Sequence, residues 1–430
     1  MVCVLGVVFA VLIFSGKIPT GKNEPTAVTG SIVIWGTLPY KAMNPMLDVI
    51  RKTYKDVALS YSGKDPASFQ NDFVDALASG TGPDLVILTP ADLVQNRNKI
   101  RPIPFMSLPE ATYRSTFIDQ ASLFLDTTGV LAFPLFVDPM IMYYNRDMLT
   151  SLFVVQPPAT WDEVVDLNKK NTKKDNAGKL LVETVALGTF DNITHAKDIM
   201  SLLMFQSGSK IVDFSPTDKK YVSVFASMVN GASPTANALS FYTSFVNPLD
   251  ADHYSWGANL PKDKDQFVAG KLATYLGYAS ELVGIRTRNP NLNFDIALVP
   301  QRATSPVKVT YGNMYGVAIV KSSKNPGLAT TIAQQMATTD AITAYLGADA
   351  TFVPARKDLL SNPPKDDFRK TLLYNSAIIS KSWIDPDRVQ TTALFQKIIN
   401  QLNAGLIKPQ ETTTSADSLL TSLLNRYQKE

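Results

Sequence analysis

Three things are scarce in this 430-residue chain: cysteine, histidine and net charge. The one cysteine, Cys3, excludes a disulfide framework, Cys-rich zinc sites and Cys-ligated iron–sulfur clusters. The two histidines, His195 and His253, stand in no HExxH spacing, which argues against a His-ligated catalytic metal. Acid–base chemistry that depends on histidine has little to work with. Lys and Arg total 41 against 38 Asp and Glu, a formal charge of +3, so there is no basic footprint for nucleic acid. There is no internal repeat, low-complexity tract, G-x-S-x-G elbow or EF-hand loop. GKIPTGKN at 16–23 has the spacing of a P-loop, but Asn23 stands where Ser or Thr would hold the metal, and the segment lies between an apolar run and a proline. No cofactor and no resident metal are expected.

What is present begins with the first sixteen residues. Met1 to Phe14 contains no charged or polar side chain. It is short of the ~20 residues that span a bilayer and is the size of a signal-peptide apolar region. The basic residues that normally precede such a region are absent, SGKIPTGK offers no good A-x-A cleavage site, and Cys3 has too few residues before it to be a lipobox cysteine. The expectation is a signal anchor or signal peptide over 1–16, followed by a Pro/Gly/Thr-rich linker over 17–30.

From Ser31 the pattern alternates. Ser31–Trp35, Val57–Ser62 and Asp84–Leu88 read as strands. Between them, Leu47, Ile50 and Tyr54, and then Phe69, Phe73 and Leu77, recur at helical spacing. Asn44-Pro45 and Asp65-Pro66 predict helix starts, each an N-cap followed by proline, and Gly80 a stop. Strand–helix–strand–helix–strand with short connections predicts a parallel, doubly wound α/β layer, whose ligands bind beyond the carboxyl ends of the strands. Thr160 and Glu163 form a capping-box pattern. Further strands are expected at Ile141–Tyr144, Leu272–Leu276, Phe294–Val299 and Gly316–Val320, and an amphipathic helix at Ala416–Tyr427.

Three predicted loops combine aromatic and small polar residues: Trp35-Gly36-Thr37, Tyr254-Ser255-Trp256-Gly257 and Tyr311-Gly312-Asn313-Met314-Tyr315-Gly316. Ring faces pack against the apolar faces of sugars, and neighbouring polar groups meet hydroxyls. Taken singly, each aromatic is better read as core; the set together points to a site. His195 and His253 are better read as structural or rim residues than as ligands.

Seven segments, in order, resemble the family 1 extracellular solute-binding proteins of ABC importers, the maltose-binding-protein-like group. They are SIVIWGT at 31–37, SGTGPDLVIL at 79–88, FPLFVDPMIMYYNRDML at 133–149, PPATWDEVVDLNKK at 157–170, FVAGKLATYLGYAS at 267–280, VTYGNMYGVAIVKSSKNPGLA at 309–329 and FVPARKDLL at 352–360. The resemblance implies a two-lobe periplasmic-binding-protein-like α/β fold with discontinuous lobes. Lobe I would be 31–135 with 301–338, and lobe II 140–297 with 340–430. Three hinge crossings are expected near 134–139, 297–301 and 337–341. It implies capture of a carbohydrate-like solute in the interlobe cleft by hinge closure, with no catalysis, and delivery to an ABC permease. The protein would be a monomer on the extracytoplasmic face of the membrane, held by its N-terminal segment, or secreted if that segment is cleaved.

The ligand-binding residues implied are Trp35, Gly36 and Thr37 on the first loop, Thr89 and Asp92 after the third strand, and Asp138 after the first crossing. They continue with Tyr278 and Ser280, in a stretch where relatives often carry a stacking Trp, and with Tyr311, Asn313 and Tyr315. Arg356 occupies the "PaR" position, where an ion pair is the competing reading. Trp256 could replace the Trp absent from 278–280. Two other readings are carried: an extracytoplasmic enzyme acting on glycans, which needs two carboxylates at catalytic spacing, and a binding module for peptide or for a sensor partner.

Overall fold

The computed structural model describes residues 29–176, 178–305 and 307–428. The apolar leader expected at 1–16 and nearly all of the linker lie outside them. Among the described residues no helix is long and apolar enough to cross a membrane.

The chain forms two compact units. The first takes the described residues through Val137 together with Asn313–Lys365, and the second takes Asp138–Gly312 together with the residues from Asp366 onward. The chain therefore passes from one unit to the other at 137/138, 312/313 and 365/366. The resemblance had placed the second and third passages earlier, near 297–301 and 337–341.

In the first unit, strand Gly30–Gly36 lies between two parallel partners, Val57–Gly63 and Leu85–Leu88. Gly316–Ile319 then pairs antiparallel with Leu85–Leu88. All four residues of Leu85–Leu88 are buried, as expected of a strand covered on both faces. The second unit is built around Leu272–Tyr278, parallel to Leu180–Val185 on one side and antiparallel to Met140–Tyr144 on the other. Phe294–Ala297 extends that sheet beyond Met142–Asn145. The terminal helix is longer than expected, Pro409–Tyr427, and buries Ala416, Leu420, Leu423 and Leu424.

Several local expectations need correction. The helix assigned a start at Asn44-Pro45 runs Tyr40–Thr53, with Pro45 inside it. Proline removes a helical hydrogen bond, but the extra turn buries Ala42 and Met43, and that burial offsets the loss. Asp65-Pro66 does not cap the next helix; Ser68 stands at the N-cap position without a side-chain capping bond, and Asp65 accepts from Ala67 N in the turn before it. Trp35 and Gly36 lie in a strand, as do Tyr311 to Gly316, within Thr310–Ile319. Glycine beside polar residues reads locally as a loop, but sheet pairing on both sides decides the conformation. Gly80 and the Thr160–Glu163 capping box stand as expected.

Candidate functional site

In the second unit, a group of polar side chains converges on the carboxyl end of strand Leu272–Tyr278. The strand register sets Tyr278 beside Met140 and so brings Asp138 to the same edge. Asp138, only 3 % exposed, accepts from Ser280 twice, from the backbone N–H at 3.0 Å and from the hydroxyl at 2.6 Å. Tyr278 Oη donates to Asp198 at 2.7 Å, and Tyr143 Oη donates to the carbonyl of Tyr278 at 2.6 Å. Tyr311 stacks in parallel with Phe205, centroids 6.3 Å apart and planes within 7°. The turn after Tyr278 and the helix Ala196–Ser207 supply most of these groups, in line with ligand sites beyond strand carboxyl ends.

A second carboxylate holds this turn in place. Glu281 receives donors from four directions. Its Oε1 accepts from His195 Nε2 and from Tyr278 N, and its Oε2 accepts from Tyr275 Oη and from Lys264 Nζ, both at 2.8 Å. Burial alone would raise this carboxyl, but the His195 hydrogen bond and charge and the Lys264 charge hold it down to about 2. His195 is raised: burial would lower it, and the hydrogen bond and charge of Glu281 outweigh that, with Asp198 and Asp263 adding. Asp138 is pushed up to about 7, mainly because burial penalises its charge. The Ser280 bonds oppose that, Glu281 adds to it and His195 opposes it. The carboxyl of the turn and the one that the turn's Ser280 holds are thus kept far apart in proton affinity by their surroundings.

The first unit places the other expected residues. Trp35 is half-buried, with Lys64 Nζ 3.7 Å from a ring centroid. At Gly36 a Cβ would stand 2.9 Å from Ile87 Cβ and 3.1 Å from Tyr61 Oη, so the close backbone approach requires glycine. Thr37 follows it, half-buried. Thr89 and Asp92 cap the helix Pro90–Asn96, where Asp92 Oδ2 accepts from the Thr89 backbone at 3.0 Å and from its hydroxyl at 2.7 Å. Asn313 and Tyr315 are half-buried, and the Tyr315 ring meets Phe352 edge-on.

Two expected ligand residues turn out to be engaged in packing. Trp256 is fully buried and its indole N–H donates to Asn192, so it is core of the second unit rather than a stacking platform. Arg356 is 4 % exposed; it makes a bidentate pair with Asp358 and donates to the Ala337 carbonyl, so the ion-pair reading holds. His253 pairs with Asp250 and packs edge-on against Phe245, also structural. Glu281, Lys264 and Asp198 went unread in the sequence. They lie 3 to 80 residues from Tyr278, and only the fold assembles them. The one local signal was Glu281 following directly on the singled-out Tyr278–Ser280 stretch.

The model of a family described as bacterial extracellular solute-binding protein matches residues 46–370. Among solved structures, the chain resembles an ABC transporter solute-binding protein from Thermotoga lettingae bound with α-D-tagatose. The two are 18 % identical with a TM-score of 0.69, over 92 % of this chain and all of that one. A cyclo/maltodextrin-binding protein complexed with maltotetraose matches at 15 % identity and TM-score 0.71, over 93 % of this chain and 98 % of that one. An ABC substrate-binding protein from Listeria monocytogenes in complex with cycloalternan matches at 15 % identity and TM-score 0.68, over 93 % of this chain and 100 % of the other. At these identities the likeness establishes the fold, that of the two-lobe solute-binding proteins. Because the family model covers most of the chain, this protein belongs to the bacterial extracellular solute-binding family and works outside the cytoplasm.

Proposed function

We propose that the protein captures a neutral, hydroxyl-rich solute of carbohydrate type and delivers it to an ABC importer permease without changing it chemically. The observation that carries this reading is Asp138, buried, held by Ser280 from two directions and neighboured by Tyr278. A carboxylate offers about four lone-pair sites, and Ser280 occupies two, which leaves acceptors for sugar hydroxyls. Tyr311, buried and stacked on Phe205, is proposed as the apolar contact for a sugar ring. Trp35 to Thr37, Asn313 and Tyr315 are proposed as further solute contacts. The sugars bound by the similar structures favour the same class. The N-terminal apolar segment is proposed to tether the protein as a monomer, or to be removed on export.

The glycan-hydrolase reading finds one favourable observation, a carboxyl raised to about 7 close to one held at about 2. The donors argue against it. Both oxygens of Glu281 are engaged by His195, the Tyr278 N–H, Tyr275 and Lys264, so it is not available to attack a sugar or activate water.

Calorimetry with maltotetraose, cycloalternan and α-D-tagatose, together with mass spectrometry of co-purifying small molecules, tests the proposal. A saturable heat with any of these sugars, or a co-purified carbohydrate, supports it. A co-purified peptide or anion, with no heat from sugars, overturns it.

A further inference from the structure

The donors around Glu281 exceed what a turn requires. One backbone N–H, Tyr278 N, accounts for its capping role; His195, Lys264 and Tyr275 come from three other places in the fold. Ser280, which faces Asp138, immediately precedes Glu281 in that turn. The His195 ring also packs edge-on against Tyr278, centroids 4.8 Å apart. His195 therefore grips the turn twice, at its first residue through the ring and at its last through the carboxylate. Resting on the reading of Asp138 as a solute contact, we propose that Glu281 and His195 are a positioning pair: together they clamp the 278–281 turn, so that Ser280 fixes the direction and the charge state in which Asp138 meets the solute.

The electrostatic surroundings of Asp138 are explicit. The turn contributes Glu281, whose negative charge raises the proton affinity of Asp138, and the start of the helix Ala196–Ser207 contributes His195, whose positive charge lowers it. Behind them, Lys264 faces Glu281 and Asp263 faces His195. Asp198 is joined to Tyr278 through its phenol, and Tyr143 stands on Asp138's own strand. Glu281 and His195 both act on Asp138 through charge, and through the turn that carries Ser280.

Two isosteric variants separate this role from mere packing. Glu281→Gln removes the negative charge and keeps the shape; His195→Gln keeps a donor and removes the positive charge. The pair must shift Asp138 in opposite directions. The measurement is carboxyl ¹³C NMR of ligand-free protein across pH 4–9, with the Asp138 resonance assigned by its loss in Asp138→Asn. Its midpoint is expected to move up in His195→Gln; Glu281→Gln is made in that background, because without Glu281 the buried imidazole would also lose its charge, and there it is expected to move the midpoint back down. Glu281→Asp, which keeps the charge and shortens the arm, is expected to loosen the Ser280 bonds, moving the midpoint up and weakening maltotetraose binding at least threefold. Unmoved or same-direction midpoints in the two charge variants overturn the coupling. Should a charge variant fail to fold, Lys264→Met tests the same charge balance from the far side of Glu281, with an upward shift of Asp138 expected and an unmoved midpoint counting against it. Undiminished sugar binding by Asp138→Asn, with the midpoints shifting as described, would instead overturn the reading of the site and leave the coupling standing.

Discussion

The Ser280 hydroxyl donates a 2.6 Å hydrogen bond to Oδ2 of Asp138, from a residue 142 positions away in the chain. The backbone N–H of the same serine reaches Oδ1. Removing the hydroxyl by Ser280→Ala takes away one of the three contributions that lower the proton affinity of Asp138, the others being the Ser280 N–H and the His195 charge. The Asp138 titration is therefore expected to move further upward, and sugar affinity to fall about tenfold at pH 7, a loss of ~1.4 kcal/mol. Calorimetry at pH 6, 7 and 8 checks this; an affinity loss that is the same at all three values would show that the hydroxyl acts by shape alone.

Asp138 also has a cost for folding. Its proton affinity is raised from an ordinary carboxyl value of ~4 in the unfolded chain to about 7 in the fold. The folded state therefore holds the proton more tightly. Stability is unaffected below pH ~4, declines as pH rises from ~4 to about 7, and stays lowered above that. Asp138→Asn is expected to abolish sugar binding while raising the melting temperature by several degrees at pH 8 and hardly at all at pH 4. An equal change at the two pH values would contradict the burial account.

Arg356 gives the opposite pattern. Lys at this position keeps the charge but loses the bidentate geometry toward Asp358. Arg356→Lys is expected to cost about 1–3 kcal/mol of stability, because a nearly buried guanidinium fork is replaced by a single point donor. Sugar affinity should remain within twofold. Paired urea titration and calorimetry distinguish this from a ligand contact, which would lose affinity first.

Gly36 tests the close packing beside Trp35. A methyl group there would press on Ile87 Cβ and the Tyr61 ring, both in paired strands. Gly36→Ala is expected to destabilise the first unit by roughly 1–3 kcal/mol. A neutral effect on chemical unfolding would mean that the strands yield more readily than interior packing normally allows.

Much of the architecture was legible because it is written locally. The 2-residue alternation of VALSYS, the helical stripe of Phe69 and Phe73, and the Thr160–Glu163 capping box each sit within a few residues. Asp138 was named through the family resemblance of the contiguous segment that holds it, 133–149. The aromatics were harder. Trp256 and Trp35 look alike in sequence, each with a following glycine, and only burial separates a core indole from a half-exposed one. Glu281 was beyond reach for a different reason: its partners His195, Lys264 and Tyr275 come from separate elements, and an acid becomes notable only when its donors are assembled. Pro45 misled because a local rule for helix starts was outweighed by burial of the preceding turn.

The division of the chain into discontinuous units has a consequence in time as well as in space. The first unit needs Asn313–Lys365 to finish its sheet, yet the whole of Asp138–Gly312 is synthesised in between. At ~5–20 residues per second, the nascent strand Leu85–Leu88 waits on the order of ten to fifty seconds for its Gly316–Ile319 neighbour. Until then, a fully apolar strand has an unpaired edge. The second unit is likewise unfinished until the last helix, Pro409–Tyr427, has been made. Such a chain cannot complete either half early during synthesis.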